Sequence, residues 1–443
     1  MTSASNISSI YQRPTELLQQ LLRFDTTNPP GNESECISFI NELVTNAGIE
    51  TRILAKTPQR PNLIARLSGQ GNASPLLLYG HVDVVTTENQ QWQHPPFDGK
   101  LVDGFVWGRG ALDMKGGIAM MLSAFLRAKS QGVKFPGDVV FAAVSDEEAG
   151  GDFGAKFLVE EHSELFAGIR YAIGEFGGFN IKIGKQRFYL IQVAEKQICW
   201  IKATISGPGG HGSLPVHGGA MSKLADMLRK IDRHRFPVHV TPVARLMFKT
   251  MASALGGLNG QVLRQLTNPA LTDSLLNLLG ERGRLFYPLV HNTASPTILH
   301  GSKKINVIPS EVSIELDGRL LPGYQPEDMI AELHQIIGDN IELEVLRHDP
   351  GPAEPDMGLF DTLSDILRQF DPDGIPIPLL MSGVTDARFF SKLGIQTYGF
   401  LPMQLPDDFN FTQTVHAANE RIPVSALDFG TNAIYQALQR FGE

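Results

Sequence analysis

The sequence predicts an α/β protein: a mixed, largely parallel sheet covered by helices, interrupted by a smaller inserted α+β domain of ferredoxin-like order. Three observations predict it. Short apolar runs without polar alternation lie between helical segments, as strands do when both faces of a sheet are covered. From about Gln197 the order changes to β-α-insert-β-β-α-β, which is that of a ferredoxin-like unit. Beyond Pro350, Pro352 and Pro355 the alternation of the first part resumes. The expected boundaries are 1–196 and 350–443 for the two parts of the larger domain and 197–349 for the insert.

Each element has its own signal. Leu17, Leu18, Leu21 and Leu22 recur at helical spacing within 12–24, and Asn28-Pro29-Pro30-Gly31 then breaks the helix. A second helix covers 33–47. Residues 62–67 and 75–79 are short apolar runs of strand type. Residues 116–128 are apolar nearly all round, which marks a buried helix. Two more strand-like runs follow at 138–144 and 170–173. In the insert, a strand at 199–205 leads through a glycine-rich turn to a helix from His217 to about Ile231. The stretch 236–290 has helical patches, 271–279 the clearest. Strands at 297–300 and 311–316, a helix at 326–337 and a strand at 341–346 complete it. The tail reads as helix 358–370, strand 397–401 and helix 426–441.

Composition narrows the function classes. With 38 basic and 47 acidic residues the net charge is −9, and no basic stripe stands out, so nucleic acid is not an expected partner. The chain is 42% hydrophobic and 19% charged, which excludes a disordered or fibrous protein. Cys36 and Cys199 are the only cysteines, so there is no disulfide framework and no thiolate zinc site, and both read as core fillers. No apolar run approaches the ~20 residues of a membrane span, and the N-terminus lacks the apolar core of a signal peptide. The expectation is a cytoplasmic protein without membrane partners. An acidic chain lacking cysteine ligands can still hold metals through oxygen and imidazole.

Five ionisable clusters stand at strand ends and loops. His81 and Asp83, two apart after the strand ending at Tyr79, share one side of an extended chain. A carboxylate there can hold one ring nitrogen and aim the other at a metal, or the pair can be purely structural. Asp113 lies in a glycine-rich stretch before the buried helix, where it can cap the helix or, with close backbone approach, join a site. Asp146, Glu147 and Glu148 follow the strand ending at Val144, as a solvated turn or as acids at the sheet edge where α/β folds bind ligands. Adjacent glutamates can divide labour, one binding metal and one acting as general base. Glu175 directly follows another strand, and His416 lies far downstream. Taken singly, each has an ordinary reading as a loop residue.

Together they do not. Strand ends of one parallel sheet share an edge, so His81, Asp113, Glu147, Glu148 and Glu175 crowd together. Four carboxylates at close range cannot all stay ionised without cations. Two divalent metals resolve this, and the His/Asp/Glu set without cysteine suits two zinc ions, with cobalt or manganese also compatible.

The motifs Gly80-His81-Val82-Asp83, Gly108–Gly117, Ser145–Gly151, Gly174-Glu175 and His416-x-x-Asn419-Glu420 closely resemble, in order and spacing, the M20 family of metallopeptidases and amidohydrolases. The resemblance runs over nearly the whole chain. It implies that Asp113 bridges two metals, that His81 and Glu175 complete one site and Glu148 and His416 the other, that Asp83 orients His81, and that Glu147 is the general base. It also implies that the insert is a lid. In the lid, His211 of Gly210-His211-Gly212-Ser213 resembles a histidine that stabilises the tetrahedral oxyanion, from a neighbouring subunit in dimeric members. Asn292 resembles an asparagine lining the site. Arg319 resembles the arginine that grips a substrate carboxylate, for which its planar fork is suited. Gly383, in Ser382–Arg388, resembles a loop that meets the same carboxylate through backbone groups. Their ordinary counterparts are a turn histidine, a loop asparagine, an ion pair of Arg319 with Asp317, and a strand-to-helix turn.

Two departures stand out. Gln197 occupies a position where the family often has glycine. The segment between His211 and Asn306 is longer than in compact members and is similar to the carboxypeptidase S and aminoacylase-like branch; such an insert can occupy the surface through which lids form a homodimer. The function the resemblance implies is di-zinc hydrolysis of an amide next to a free carboxylate, in a small peptide or an N-acyl amino acid. A di-metal phosphoesterase and a non-catalytic binding protein on the same scaffold are the alternatives. No G-x-S-x-G elbow supports a serine hydrolase.

Overall fold

The computed structural model describes residues 9–443. The first eight residues, on which the reading of the N-terminus partly rests, lie outside the described residues. The chain forms two compact units. One comprises the chain up to Val193 with Asp356–Leu379 and Thr385–Glu443; the other comprises Ala194–Pro355 with Leu380–Val384.

The first unit is built on a nine-stranded mixed sheet. Its order is Thr51–Ala55, Pro61–Leu67, Val139–Val144, Leu76–His81, Tyr171–Gly174, Gln396–Gly399, Gln186–Glu195 and Gly374–Met381, with Asn180–Ile183 added to Gln186–Glu195. The centre is parallel: Leu76–His81 pairs in parallel with Val139–Val144 and Tyr171–Gly174, and Gln396–Gly399 runs parallel to Tyr171–Gly174. Leu76–His81 and Val139–Val144 are buried along their whole length, which explains their lack of alternation. Because they run the same way, with His81 opposite Val144, the residues after each emerge on one edge.

The helix Lys115–Ser130 lies against this sheet and is buried on nearly every side. It packs against Pro14–Leu22 and Val424–Arg440. In the last of these, a Cβ at Gly430 would stand 2.3 Å from Met120 Sδ and 2.5 Å from the carbonyl of Pro402. Gly430→Ala should therefore lower stability by about 1–3 kcal/mol through overpacking, despite alanine's better helix propensity. The denaturant midpoint measures this, and an unchanged or higher midpoint would show that the helices can separate freely.

The second unit has a four-stranded antiparallel sheet in the order Thr293–His300, Glu311–Leu320, Gln197–Ser206, Glu342–Asp349. Helices Ala220–Arg233 and Pro326–Ile337 cover it. They bury Leu224, Met227, Met329 and Leu333 against Ile201, Ala203, Ile314 and Leu316. Gln325 and Asp328 form a reciprocal capping box at the start of the second helix.

Differences from the sequence reading have local causes. The helix expected from His217 starts at Ala220 because Gly218 takes φ +68, a conformation that does not continue a helix. The stretch 236–290 holds four helices: Pro242–Leu255, Gly257–Gln265, Pro269–Leu279 and Glu281–Phe286. The strand Gly374–Met381 was not expected because Pro376 and Pro378 argue against one. It stands at the margin of the sheet, where missing N–H donors are tolerated. No described helix is long and apolar enough to cross a membrane.

Candidate metal centre

The parallel strands deliver the site. His81 ends one strand, Asp146 to Glu148 follow the next, and Glu175 directly follows a third. Asp113 precedes the buried helix, and its backbone N–H and that of Leu112 both donate to Glu420 Oε1, at 3.2 and 2.8 Å. Glu420 is fully buried and pairs through Oε2 with Arg109, at 2.5 Å. Arg109 in turn donates to the His416 carbonyl at 3.2 Å, and Gln90 does so at 3.0 Å. His416 itself sits at φ +62, a sparsely populated conformation held by these bonds.

Two donor groups result. One is His81, Asp113 and Glu175; the other is Asp113, Glu148 and His416. Within each, the ligand atoms lie within 4.8 Å of one another. Asp113 belongs to both through different oxygens: Oδ1 is 3.1 Å from His81 Nε2, and Oδ2 is 3.1 Å from His416 Nε2. His81 Nε2 is also 3.3 Å from Glu175 Oε2, and His416 Nε2 is 3.2 Å from Glu148 Oε1.

The donor set fits divalent cations. His81 Nδ1 lies 3.0 Å from the carbonyl of Asp83. A carbonyl only accepts, so this assigns the proton to Nδ1 and leaves a lone pair on Nε2. That lone pair faces carboxylate oxygens of Asp113 and Glu175. Acceptor facing acceptor is stable only with a proton or a cation between them. Glu175 Oε1 is moreover buried without a hydrogen-bond partner. Without a cation the imbalance falls on protonation. Burial alone would lower the His81 pKa, but hydrogen bonds to Asp113, Asp83 and Glu175 outweigh it and drive it well up. Asp113 and Glu148 together hold His416 up at about 10. Burial raises Glu148 to about 7, against the pull of His416.

Asp83 organises the centre from below. Fully buried, it accepts the backbone N–H groups of Glu147 and Glu148, both at 3.1 Å, and its Oδ1 is 3.5 Å from His81 Nδ1. Glu147 lies in neither ligand group. Desolvation and the neighbouring Glu175 push its carboxyl well above the usual range.

The remaining predicted residues lie in the second unit. His211 is exposed on the short strand Gly210–His211, and its Nδ1 accepts from Ser213 N at 3.2 Å, with Ser213 Oγ at 2.7 Å. A neutral ring held this way carries its proton on Nε2. Arg319 lays its fork on Asp317, at 2.8 and 3.2 Å, the ordinary pairing that the sequence left open. Asn292 is fully buried. It donates to both oxygens of Glu332, at 3.2 and 3.1 Å, and accepts from Leu321 N at 2.9 Å. Gly383 is half-buried on the segment Leu380–Val384.

Sequence reasoning did not reach Asn28 and Arg60 as parts of the site, nor their bonds to Asp146, nor the clasp of Arg109 on Glu420. Asn28 lay inside the loop-breaking run Asn28–Gly31, and its polar side chain was the one available signal.

Fold and site together define an α/β protein with a candidate metal centre built from carboxylates and histidines. The chain belongs to peptidase family M20/M25/M40, whose profile matches residues 77–440. It is 28% identical over 366 residues to the probable carboxypeptidase S-like 2 of Dictyostelium discoideum, covering 79% of this chain and 68% of that protein. It is likewise 28% identical over 380 residues to the N-fatty-acyl-amino acid synthase/hydrolase PM20D1 of Homo sapiens, covering 82% and 74%. Among solved structures, human carnosine dipeptidase 1 shares the fold with a TM-score of 0.69 at 15% identity, covering 99% of this chain and 98% of the other. A metallo-carboxypeptidase of Sulfolobus solfataricus does so at 0.68 and 16%, covering 97% and 99%.

Proposed function

We propose that the protein is a di-zinc hydrolase, with cobalt or manganese able to replace zinc, that cleaves an amide next to a free carboxylate. Its substrates are small peptides or N-acyl amino acids, so it acts as a carboxypeptidase or dipeptidase, or as an aminoacylase or deacylase. The observation that carries this is the pair of ligand groups sharing Asp113 through separate oxygens, with an unengaged glutamate, Glu147, beside them. His81, Asp113 and Glu175 would hold one ion and Asp113, Glu148 and His416 the other. When bound, the ions supply Lewis acidity at the scissile carbonyl and acidify water.

The chain's own residues do the rest. Glu147 accepts the proton of the attacking water and returns it to the leaving amine nitrogen, the role open to a carboxylate beside the ligand groups that belongs to neither. Asp83 holds the His81 ring and the turn carrying Glu147 and Glu148. His211, with its proton on Nε2, has a donor to offer a developing oxyanion. Arg319, released from Asp317, offers its fork to the substrate carboxylate, Gly383 its backbone groups, and Asn292 a place in the wall of the site. A homodimer through the lid is part of the same proposal.

The test is chelation followed by metal return, assayed on dipeptides and on short- and long-chain N-acyl amino acids. Dialysis against a chelator should abolish amide hydrolysis, and zinc, cobalt or manganese should restore it. Activity indifferent to chelation, or turnover of phosphoesters without amides, would overturn the proposal.

A further inference from the structure

Behind the metal centre lies a second buried layer of charge. Arg60 is 7% exposed and lays its fork on Glu33, with Nη2 at 2.6 Å from Oε1 and Nε at 3.2 Å from Oε2. Its Nη1 pairs with Asp146 Oδ1 at 2.8 Å. Asn28 Nδ2 bridges Asp146 Oδ1 at 3.0 Å and Asp83 Oδ2 at 2.9 Å. Asp146 Oδ2 accepts from Phe153 N at 3.0 Å, which pins the far end of the loop carrying Glu147 and Glu148. Glu33, Asp83 and Asp146 are at most 2% exposed, so three carboxylates share this layer with the Arg60 guanidinium. The turn around it is tailored: Gly31 has φ +78, and a Cβ there would sit 2.3 Å from Arg60 Cζ.

We propose that the chain Glu33–Arg60–Asp146–Asn28 is the positioning framework of the metal centre. It fixes Asp83 and, through it, both the His81 ring and the backbone of Glu147 and Glu148. The physical case lies in what each bond leaves undone. Asp83 has two oxygens and already serves two backbone N–H groups on the turn. Asn28 is the donor that ties it to Asp146, and Arg60 is the one guanidinium that bridges Asp146 and Glu33 in this layer. Asn28 and Arg60 are positioning residues: they touch no ligand atom and act through Asp83. This inference rests on the metal reading, and the experiment separates the two.

The variants are Asn28→Ala, which removes the link without stranding a charge, and Arg60→Lys, which keeps the charge but loses the fork. Zinc binding to the stripped full-length chain is titrated against a competing chelator. Amide exchange at Glu147 and Glu148 is measured alongside. Orienting partners of metal ligands are typically worth about 10–100-fold in affinity. Zinc affinity in Asn28→Ala should fall by about that factor, with faster exchange at the two amides and kcat reduced at nearly constant KM. Arg60→Lys should show a smaller change in the same direction. Wild-type affinity and exchange in a folded Asn28→Ala protein would overturn the framework. Unfolding of both variants would make the layer merely structural and overturn it equally. A wild-type chain that binds no zinc would instead sink the metal reading, while exchange at the two amides would still test the framework.

Discussion

Replacing Glu147 with alanine should lower kcat by about 10²–10⁴-fold, the range that a positioned acid–base group contributes, while both metal ions stay bound. The division follows from geometry. Glu147 and Glu148 are adjacent and hang from the same carboxylate, Asp83. Yet Glu148 reaches His416 Nε2 at 3.2 Å and joins a ligand group, and Glu147 joins neither. The turn separates them: Asp146 adopts φ +71, and a short 3₁₀ turn over Glu147–Ala149 sends consecutive side chains in different directions. A group outside the ligand set can be removed without stranding a cation. Metal content by mass spectrometry and KM should therefore change little, and the loss should appear in kcat. Glu148→Ala should instead lose metal. If Glu147→Ala keeps near-wild-type turnover, the proton is moved by another group.

Much of this centre was legible because parallel sheets impose a simple rule. His81, Glu147, Glu148 and Glu175 each come directly after an apolar run, and strands running the same way end on the same edge. Asp113 was placed with them on that edge although it precedes the helix Lys115–Ser130 rather than ending a strand of the sheet, and His416 was drawn in by motif spacing alone. What could not be read is the support beneath. Asn28 and Asp146 are 118 residues apart, and Arg109 and Glu420 are 311 apart. Nothing local in a short polar side chain reports so distant a partner. The same limit applied to Arg319: Asp317 two residues away was a visible partner, and the structure shows that pairing. Prolines hid the strand Gly374–Met381 because its position at the sheet margin, which excuses them, is a tertiary fact.

Asp113→Asn should have the widest consequences of any single change, because one side chain serves both ligand groups. The amide keeps the shape but loses the charge and one of two acceptor oxygens. Whichever way it turns, one of His81 and His416 then faces an NH₂ group across about 3 Å. We expect metal stoichiometry to fall and turnover to drop by about a thousandfold or more, equivalent to about 4 kcal/mol of lost transition-state stabilisation. His416→Ala should be milder, since His416 serves one group only and its side chain is 47% exposed. Stability separates loss of metal from general damage. A ligand that binds the folded state alone stabilises it by about 2.7 kcal/mol at a hundred times its Kd, so zinc should raise the melting temperature of the stripped wild-type protein. In Asp113→Asn the same zinc concentration should raise it far less. The stripped variant itself should be somewhat less stable than the stripped wild type: against the cost of burial, His416 and His81 hold the Asp113 carboxyl well below its usual range, and the amide loses both ion pairs. The size of the zinc response is therefore the discriminating measurement. A variant that melts early without zinc yet responds to zinc as the wild type does would show that Asp113 supports the fold rather than joining two ions.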